Sequence, residues 1–394
     1  MSGEWTLGAD IPYPYVVMSA ALINPSILTW SRLRAGLSED KLAHGLAIKT
    51  EKVFEWEAGE SLPTFKQAQR WATLAHIPFG FLFLTEPPQE ALPLPDLRTV
   101  GGQVPAKPSV DLMDTVKEVL RRQQWYVEYL TEHEVAPLSF VGRFSSQSEV
   151  RDVVANMRTT MGLSDEAVKG THEDYLRMLI AAAESAGILV MRSGIVGGNT
   201  HRKLDVGEFR GFAISHDVAP MVFINSADAP TARLFTLVHE LAHIWIGSSG
   251  VSSGGVDAGR QEEIFCNAVA GEFLVPETAF RQLWRDDRDW TSQLPELSAR
   301  FKVSRLVVAR RACDLGFVTK ADYRVFYLAE LEAYRTKEKN GGSYYTNAGA
   351  KNSLRFSKAV LAETKRGSML LRDAAKLLGI QPSKIGTYAD TLSE

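Results

Sequence analysis

Between Leu234 and Ile246 the chain is apolar on nearly every side, with Leu234, Phe235, Leu237, Val238, Leu241, Ile244 and Ile246. A helix that is apolar all round belongs in an interior. Yet one turn of it, His239-Glu240-Leu241-Ala242-His243, carries three ionisable residues. Burying them is costly unless they are paired or hold a metal. On a helix, positions i and i+4 share a face one turn apart, so His239 and His243 can both reach one tetrahedral Zn²⁺ at about 2.0–2.1 Å. Glu240 points beside the metal, where it can take a proton from water that zinc has brought to a pKa of about 7. The motif therefore implies metallopeptidase chemistry, and Gly247 ends the helix as a C-cap glycine does.

Tetrahedral catalytic zinc needs a third protein ligand. Downstream, Ile264, Phe265, Ala268, Val269 and Phe273 repeat at helical spacing behind an acidic start at Gln261-Glu262-Glu263. Glu263 is the choice for the third ligand, with Glu262 as the alternative. Cys266 can also ligate zinc, although a small buried thiol is the commoner outcome. Asn267, one turn past Glu263, is placed to hydrogen-bond and orient that carboxylate.

His239-Glu240-Leu241-Ala242-His243, then Glu263-x-x-Cys266-Asn267-x-Val269-Ala270 and Leu274-Val275-Pro276, resembles the ImmA/IrrE family of metallopeptidases over roughly residues 170–315. Cys266 stands for that family's usual Ala, and Val269 for its usual Phe. The resemblance implies His239, His243 and Glu263 as zinc ligands and Glu240 as general base. It also implies a specific regulatory substrate, such as a repressor, rather than general proteolysis.

The 394 residues, 45% of them hydrophobic, allow two or three domains with sizeable cores. Two cysteines, Cys266 and Cys313, give no disulfide framework and suit a reducing, cytoplasmic setting. A net charge of −3 argues against a chain that coats nucleic acid along its length. The start carries Glu4 and Asp10, lacks a basic n-region, and has too short an apolar run to span a bilayer. No membrane association is expected. Residues 1–23 read as an extension, with an alternative start at Met18.

Residues 24–84 read as a set of short helices. Ser38 begins the second after Gly36 ends the first, and Thr50 is expected to cap the third. Leu37-Ser38, Leu42-Ala43, Trp56-Glu57-Ala58-Gly59 and Pro63 resemble an XRE-type (Cro-repressor-like) helix-turn-helix. The resemblance implies a double-stranded DNA operator, met in the major groove by Lys49, Thr50, Glu51, Lys52 and Glu55. Charge tempers this: seven Lys or Arg against six acids leave the module at +1. So near-neutral a module binds DNA weakly alone, and a homodimer would double its contacts. The competing reading keeps the helices and docks a protein.

Residues 85–110 hold six of the 17 prolines and read as a linker. Its Leu92–Thr99 stretch, with alternating leucines, can pack across the following domain. Residues 111–315 form the expected peptidase domain. Helices are expected over 112–130, 148–163 and 171–186. Strands over 187–191, 207–215 and 220–225 would form a small antiparallel sheet, whose exposed edge could pair with an extended substrate. Arg210 and His216 are candidates to stabilise an oxyanion. The glycine-rich loops at 194–198 and 248–255 would gate the cleft or merely connect. Residues 316–394 form a basic helical tail; over 337–394, ten Lys or Arg face five acids. Its Leu371–Leu378 helix and turn would form another unit facing DNA or a partner. The fold class expected is mostly α with a small antiparallel sheet (α+β): a helix-turn-helix bundle, a zincin-like HExxH domain and a helical C-terminal region. The function expected is a regulator with a zinc-dependent endopeptidase that cuts a repressor or toxin protein. The alternative is a DNA-binding repressor or antitoxin whose peptidase-like domain senses or docks.

Overall fold

A computed structural model describes residues 23–95, 108–164, 170–252, 261–338 and 352–392. The expected extension before residue 23, the middle of the proline-rich segment and the end of the 248–255 loop lie outside them. The chain divides into two compact units, 1–91 and 92–394, and is mostly helical with a small sheet.

The first unit holds α1 (Pro25–Arg34), α2 (Glu39–Leu46), α3 (Thr50–Ala58), α4 (Phe65–Leu74) and a 3₁₀ turn (Phe79–Phe83) around Leu28, Leu42, Val53, Trp56 and Trp71. Asn24, Ser38 and Thr64 cap α1, α2 and α4 through their side chains. Thr50 does not cap α3. The cap position falls to Lys49, without a side-chain bond, and the Thr50 hydroxyl donates to Asp40 Oδ1 at 2.8 Å, tying α3 to α2. The turn between α2 and α3 is tight because Ala47 takes the left-handed region at φ 56°. Buried Arg32 grips Glu57 with two bonds of 2.7 and 2.8 Å and reaches Glu39 at 3.0 Å.

The second unit is built on one sheet. In chain order it runs α5 (Val110–Glu132), α6 (Val150–Thr160), α7 (His172–Ser185), β1 (Leu189–Ser193), the hairpin β2 (Ile195–Val196) and β3 (Asn199–Lys203), β4 (Gly211–Ile214), β5 (Met221–Asn225), α8 (Pro230–Trp245), β6 (Gly250–Ser252) and α9 (Gln261–Leu274). Then follow α10 (Glu277–Leu283), α11 (Trp290–Phe301), α12 (Arg305–Asp314), α13 (Lys320–Glu338), α14 (Leu354–Arg366), α15 (Leu371–Leu378) and α16 (Ile385–Thr391). Among the described residues no helix is long and apolar enough to cross a membrane.

The sheet order is β1-β5-β4-β6. It is mixed rather than antiparallel: β4 folds back on β5, but β1 runs parallel to β5 on its other side. Side chains on a strand alternate between faces, and both faces of this sheet are covered. Val190, Ala213, Val222 and Ile224 enter one core with α6, α7, α8 and α9, while Leu189, Met191, Phe212, Met221 and Phe223 enter a second with α5, α14 and α15. The C-terminal region therefore spends its apolar side on the sheet. Phe356 is fully buried and meets Trp125 edge-on at 5.6 Å.

Two segments differ from expectation. Residues 194–198 are not an open loop: Gly197 and Gly198, at φ 53° and 77°, form the two-residue turn of the β2–β3 hairpin. Two positive φ values suit the right-handed twist of paired strands. The leucine–proline stretch packs as expected as far as it is described: Leu94 is buried in the second core and Pro95 accepts a bond from the Val251 amide at 3.0 Å. The outer edge of β6 is thus partly taken by the chain itself.

Candidate metal centre

Helix α8 is apolar all round because it is wedged between the sheet and its neighbours. Leu234, Leu237, Val238 and Leu241 are all fully buried. Buried Asn225 shapes the turn into it, donating to the Phe209 carbonyl at 3.0 Å and accepting from the Ala227 amide at 3.0 Å. At its other end the carbonyls of His243, Ile244 and Trp245 receive the amides of Ser248, Gly142 and Phe144 at 2.9–3.0 Å. Gly247, at φ 71°, makes the turn away, and a Cβ there would stand 3.1 Å from the Gly142 Cα.

His239, Glu240, His243 and Glu263 are each no more than 2% exposed. The two imidazole Nε2 atoms lie 3.2 Å apart. His239 Nε2 is 3.4 Å from Glu263 Oε2, and His243 Nε2 is 3.1 Å from Glu263 Oε1. A tetrahedron with bonds of about 2.0–2.1 Å has edges of about 3.3 Å, and the three distances lie close to that, with each imidazole meeting a different oxygen of the Glu263 carboxylate. His239, His243 and Glu263 form the cluster of possible metal ligands among the described residues. Neither imidazole Nδ1 has a hydrogen-bond partner among them.

The three donors are electrostatically coupled. Burial works against charge on His239, but the Glu263 carboxylate outweighs it and lifts the pKa above the ordinary value. For His243 burial wins and the pKa falls. Glu263 is disfavoured as an anion by burial, yet the two imidazoles hold it at about 2. A carboxylate charged at every ordinary pH is an apt partner for a cation.

Of the alternatives, Glu262 turns aside and accepts from the Ser248 hydroxyl at 2.8 Å. Cys266 is fully buried, and burial pushes its thiol well above the ordinary range. Asn267 lies beside His239 and favours its charged form. Ile264, expected inside, is 57% exposed.

Glu240 faces the start of β4. A Cβ on Gly211 would come within 2.9 Å of Glu240 Oε1, 2.8 Å of Thr236 Cγ2 and 2.9 Å of the Phe223 carbonyl oxygen. The absence of a side chain at Gly211 is what lets the carboxylate lie against the strand. Beside it opens a cleft of about 120 Å³, reached by His239, Glu240, Asn267 and Arg210. Arg210 is paired with Asp228 at 3.2 Å. His216 does not join them: it lies past the far end of β4 and accepts the Val218 amide at 3.3 Å. Sequence reasoning missed the cleft's other wall, where Tyr323 and Tyr327 of α13 and Arg310 of α12 stand. No local pattern marks them.

In the first unit, Lys49, Glu51 and Lys52 are exposed, and Thr50 and Glu55 are half-buried. Lys52 pairs with Glu55, which also accepts from Ser61 at 2.9 Å. Phe54 beside them is 52% exposed.

Two histidines one turn apart, a carboxylate from the next long helix and an acid beside them form the donor set of HExxH hydrolases. Residues 183–312 match the model of the IrrE N-terminal-like domain of the M78 peptidase family. Residues 352–391 match a domain of unknown function (DUF8813). No curated protein matches the chain.

Proposed function

We propose that this chain is a regulator whose second unit is a zinc-dependent endopeptidase acting on a specific protein, a repressor or toxin. His239, His243 and Glu263 would hold the zinc, which supplies Lewis-acid activation of water. Glu240 takes a proton from that water and returns it to the leaving amine. Gly211 and Thr236 keep its carboxylate in place, and Arg210, which lines the same cleft and pairs with Asp228, would face the carbonyl oxygen of the peptide. The first unit would seat the protein on a duplex operator through α3. The observation that carries the reading is the convergence of three buried donors, two imidazole Nε2 atoms and the Glu263 carboxylate, at 3.1–3.4 Å from one another. Glu240→Gln tests it. The variant should keep its metal, lose hydrolysis and hold an uncut partner on affinity purification from its own cells. Hydrolysis at the wild-type rate would end the proposal.

The competing reading is a DNA-binding repressor or antitoxin in which the peptidase-like unit senses or docks. The Lys52–Glu55 pair and the neighbouring exposed Phe54 suit a protein partner at α3 and so count against the DNA role of the first unit in both readings. Regulation in cells that survives Glu240→Gln would select this reading.

A further inference from the structure

The cleft beside Glu240 has walls whose chemistry narrows what can enter. Phe235 of α8, Leu306 and Val307 of α12, and Tyr323 and Tyr327 of α13 surround it, with Gly271 of α9 at its side. The cations that reach it are already matched. Arg210 pairs with Asp228 at 3.2 Å, Arg310 with Asp314 at 2.8 Å, and Arg311 with Glu272. An acidic side chain would find its countercharges occupied, and a basic one would meet three arginines, the lining carboxylates being Glu240 beside the metal ligands and Asp314 already paired with Arg310. Its volume of about 120 Å³ compares with the engineered cavity of roughly 150 Å³ that admits benzene in another protein.

Gly271 is the second observation. It sits inside α9, where glycine costs about 1 kcal/mol against alanine. A Cβ there would meet nothing closer than the Arg311 side chain at 3.9 Å, so sterics within the chain do not demand glycine. What its missing side chain leaves is space in the cleft.

We infer that this hollow is a specificity pocket that takes one large, uncharged apolar side chain, about the size of leucine or phenylalanine, from a residue flanking the bond to be cut. The inference rests on the peptidase reading above. Each methylene a pocket accommodates is worth about tenfold or more in kcat/KM. Peptides with leucine or phenylalanine at that position should therefore outrun their glycine counterparts by at least about a hundredfold.

Two readouts on the zinc-loaded full chain test this. The first is binding by saturation-transfer NMR of N-acetyl-leucinamide, N-acetyl-phenylalaninamide, N-acetyl-glycinamide and N-acetyl-aspartic acid α-amide. The leucine and phenylalanine probes should bind, and the other two should not. Gly271→Leu should abolish the binding. Gly271→Ala, which fits without a clash, should weaken it while the fold stays intact. The second readout maps cleavage sites in a randomised peptide library. Equal binding of the glycine and leucine probes, or leucine binding unchanged in a folded Gly271→Ala and Gly271→Leu pair, overturns the pocket. Cuts without an apolar preference overturn the pocket and leave the peptidase standing. Leucine binding with no cut in the library, nor of any partner trapped by Glu240→Gln, leaves an apolar hollow but overturns both the peptidase and the hollow's role beside a cut bond.

Discussion

Replacing Gly211 by alanine adds one methyl group where three neighbours already touch the virtual position: Thr236 Cγ2 at 2.8 Å, Glu240 Oε1 at 2.9 Å and the Phe223 carbonyl oxygen at 2.9 Å. Contact between carbons is comfortable at about 3.5–4.0 Å, so at least one neighbour must retreat by more than half an ångström. The Phe223 oxygen belongs to the strand paired with β4 and is held by the sheet. The Thr236 methyl belongs to a buried helix residue. The Glu240 carboxylate ends a side chain with three torsions and gives way most easily. Overpacking a filled core by a methyl costs about 1–3 kcal/mol. For a unit this large that is a Tm loss of roughly 2–5 °C. Misplacing a catalytic group by about 1 Å costs on the order of a hundredfold in rate. Gly211→Ala should therefore lower Tm modestly and cut peptide hydrolysis about a hundredfold. It should leave the metal content alone, because the three atoms nearest the added methyl belong to Thr236, Glu240 and Phe223 rather than to His239, His243 or Glu263. Scanning calorimetry, a quenched-fluorescence peptide assay and elemental analysis read the three quantities separately. Native activity with a lowered Tm would show that the strand does not position Glu240. Loss of metal alongside activity would show that the whole centre had collapsed, and would refute the argument just as firmly.

The remaining expectations are simpler. Purified protein should carry about one zinc per chain by elemental analysis. His239→Ala should lose it, and chelation should lower Tm, since a ligand at a hundred times its Kd adds about 2.7 kcal/mol to the folded state. Phe356→Ala should cost about 3–5 kcal/mol in urea unfolding of the full chain, because its fully buried ring helps cover the sheet. A cost under 1 kcal/mol would mean that α14 contributes little to that core. Reversing Lys49 and Lys52 to Glu should abolish binding to duplex DNA taken from upstream of the coding region, measured by fluorescence anisotropy. The milder pair Lys49→Ala and Lys52→Ala should weaken binding and flatten its salt dependence by about two units of slope. Unchanged anisotropy would remove α3 from any DNA interface.

How much of this was open to sequence reasoning depends on the distance over which each feature is encoded. His239, Glu240 and His243 lie within one helical turn, and an apolar run around three ionisable residues signals a buried, paired site by itself. Glu263 lies on the next long helix, and the acidic start of α9 offered two carboxylates. Only packing chooses between them, by turning Glu262 toward Ser248 and Glu263 toward the imidazoles. One strand showed through the alternation at 207–215 and the others as short apolar runs at 187–191 and 220–225, but neither pattern fixed the pairing, so the direction of β1 beside β5 was not legible. Nor was the purpose of the C-terminal helices. Their basic outer side reads as a surface for nucleic acid, whereas the residues that decide their place are Phe356, Val360 and Leu378 against the far face of the sheet. Tyr323 and Tyr327 show the limit most sharply. They close the cleft over an acid more than eighty positions earlier in the chain, in a helix whose local sequence gives no hint of it. The proposed proton chemistry can be read from one turn of helix. The cleft that would choose a substrate is spread over α8, α9, α12 and α13, and exists only once they pack.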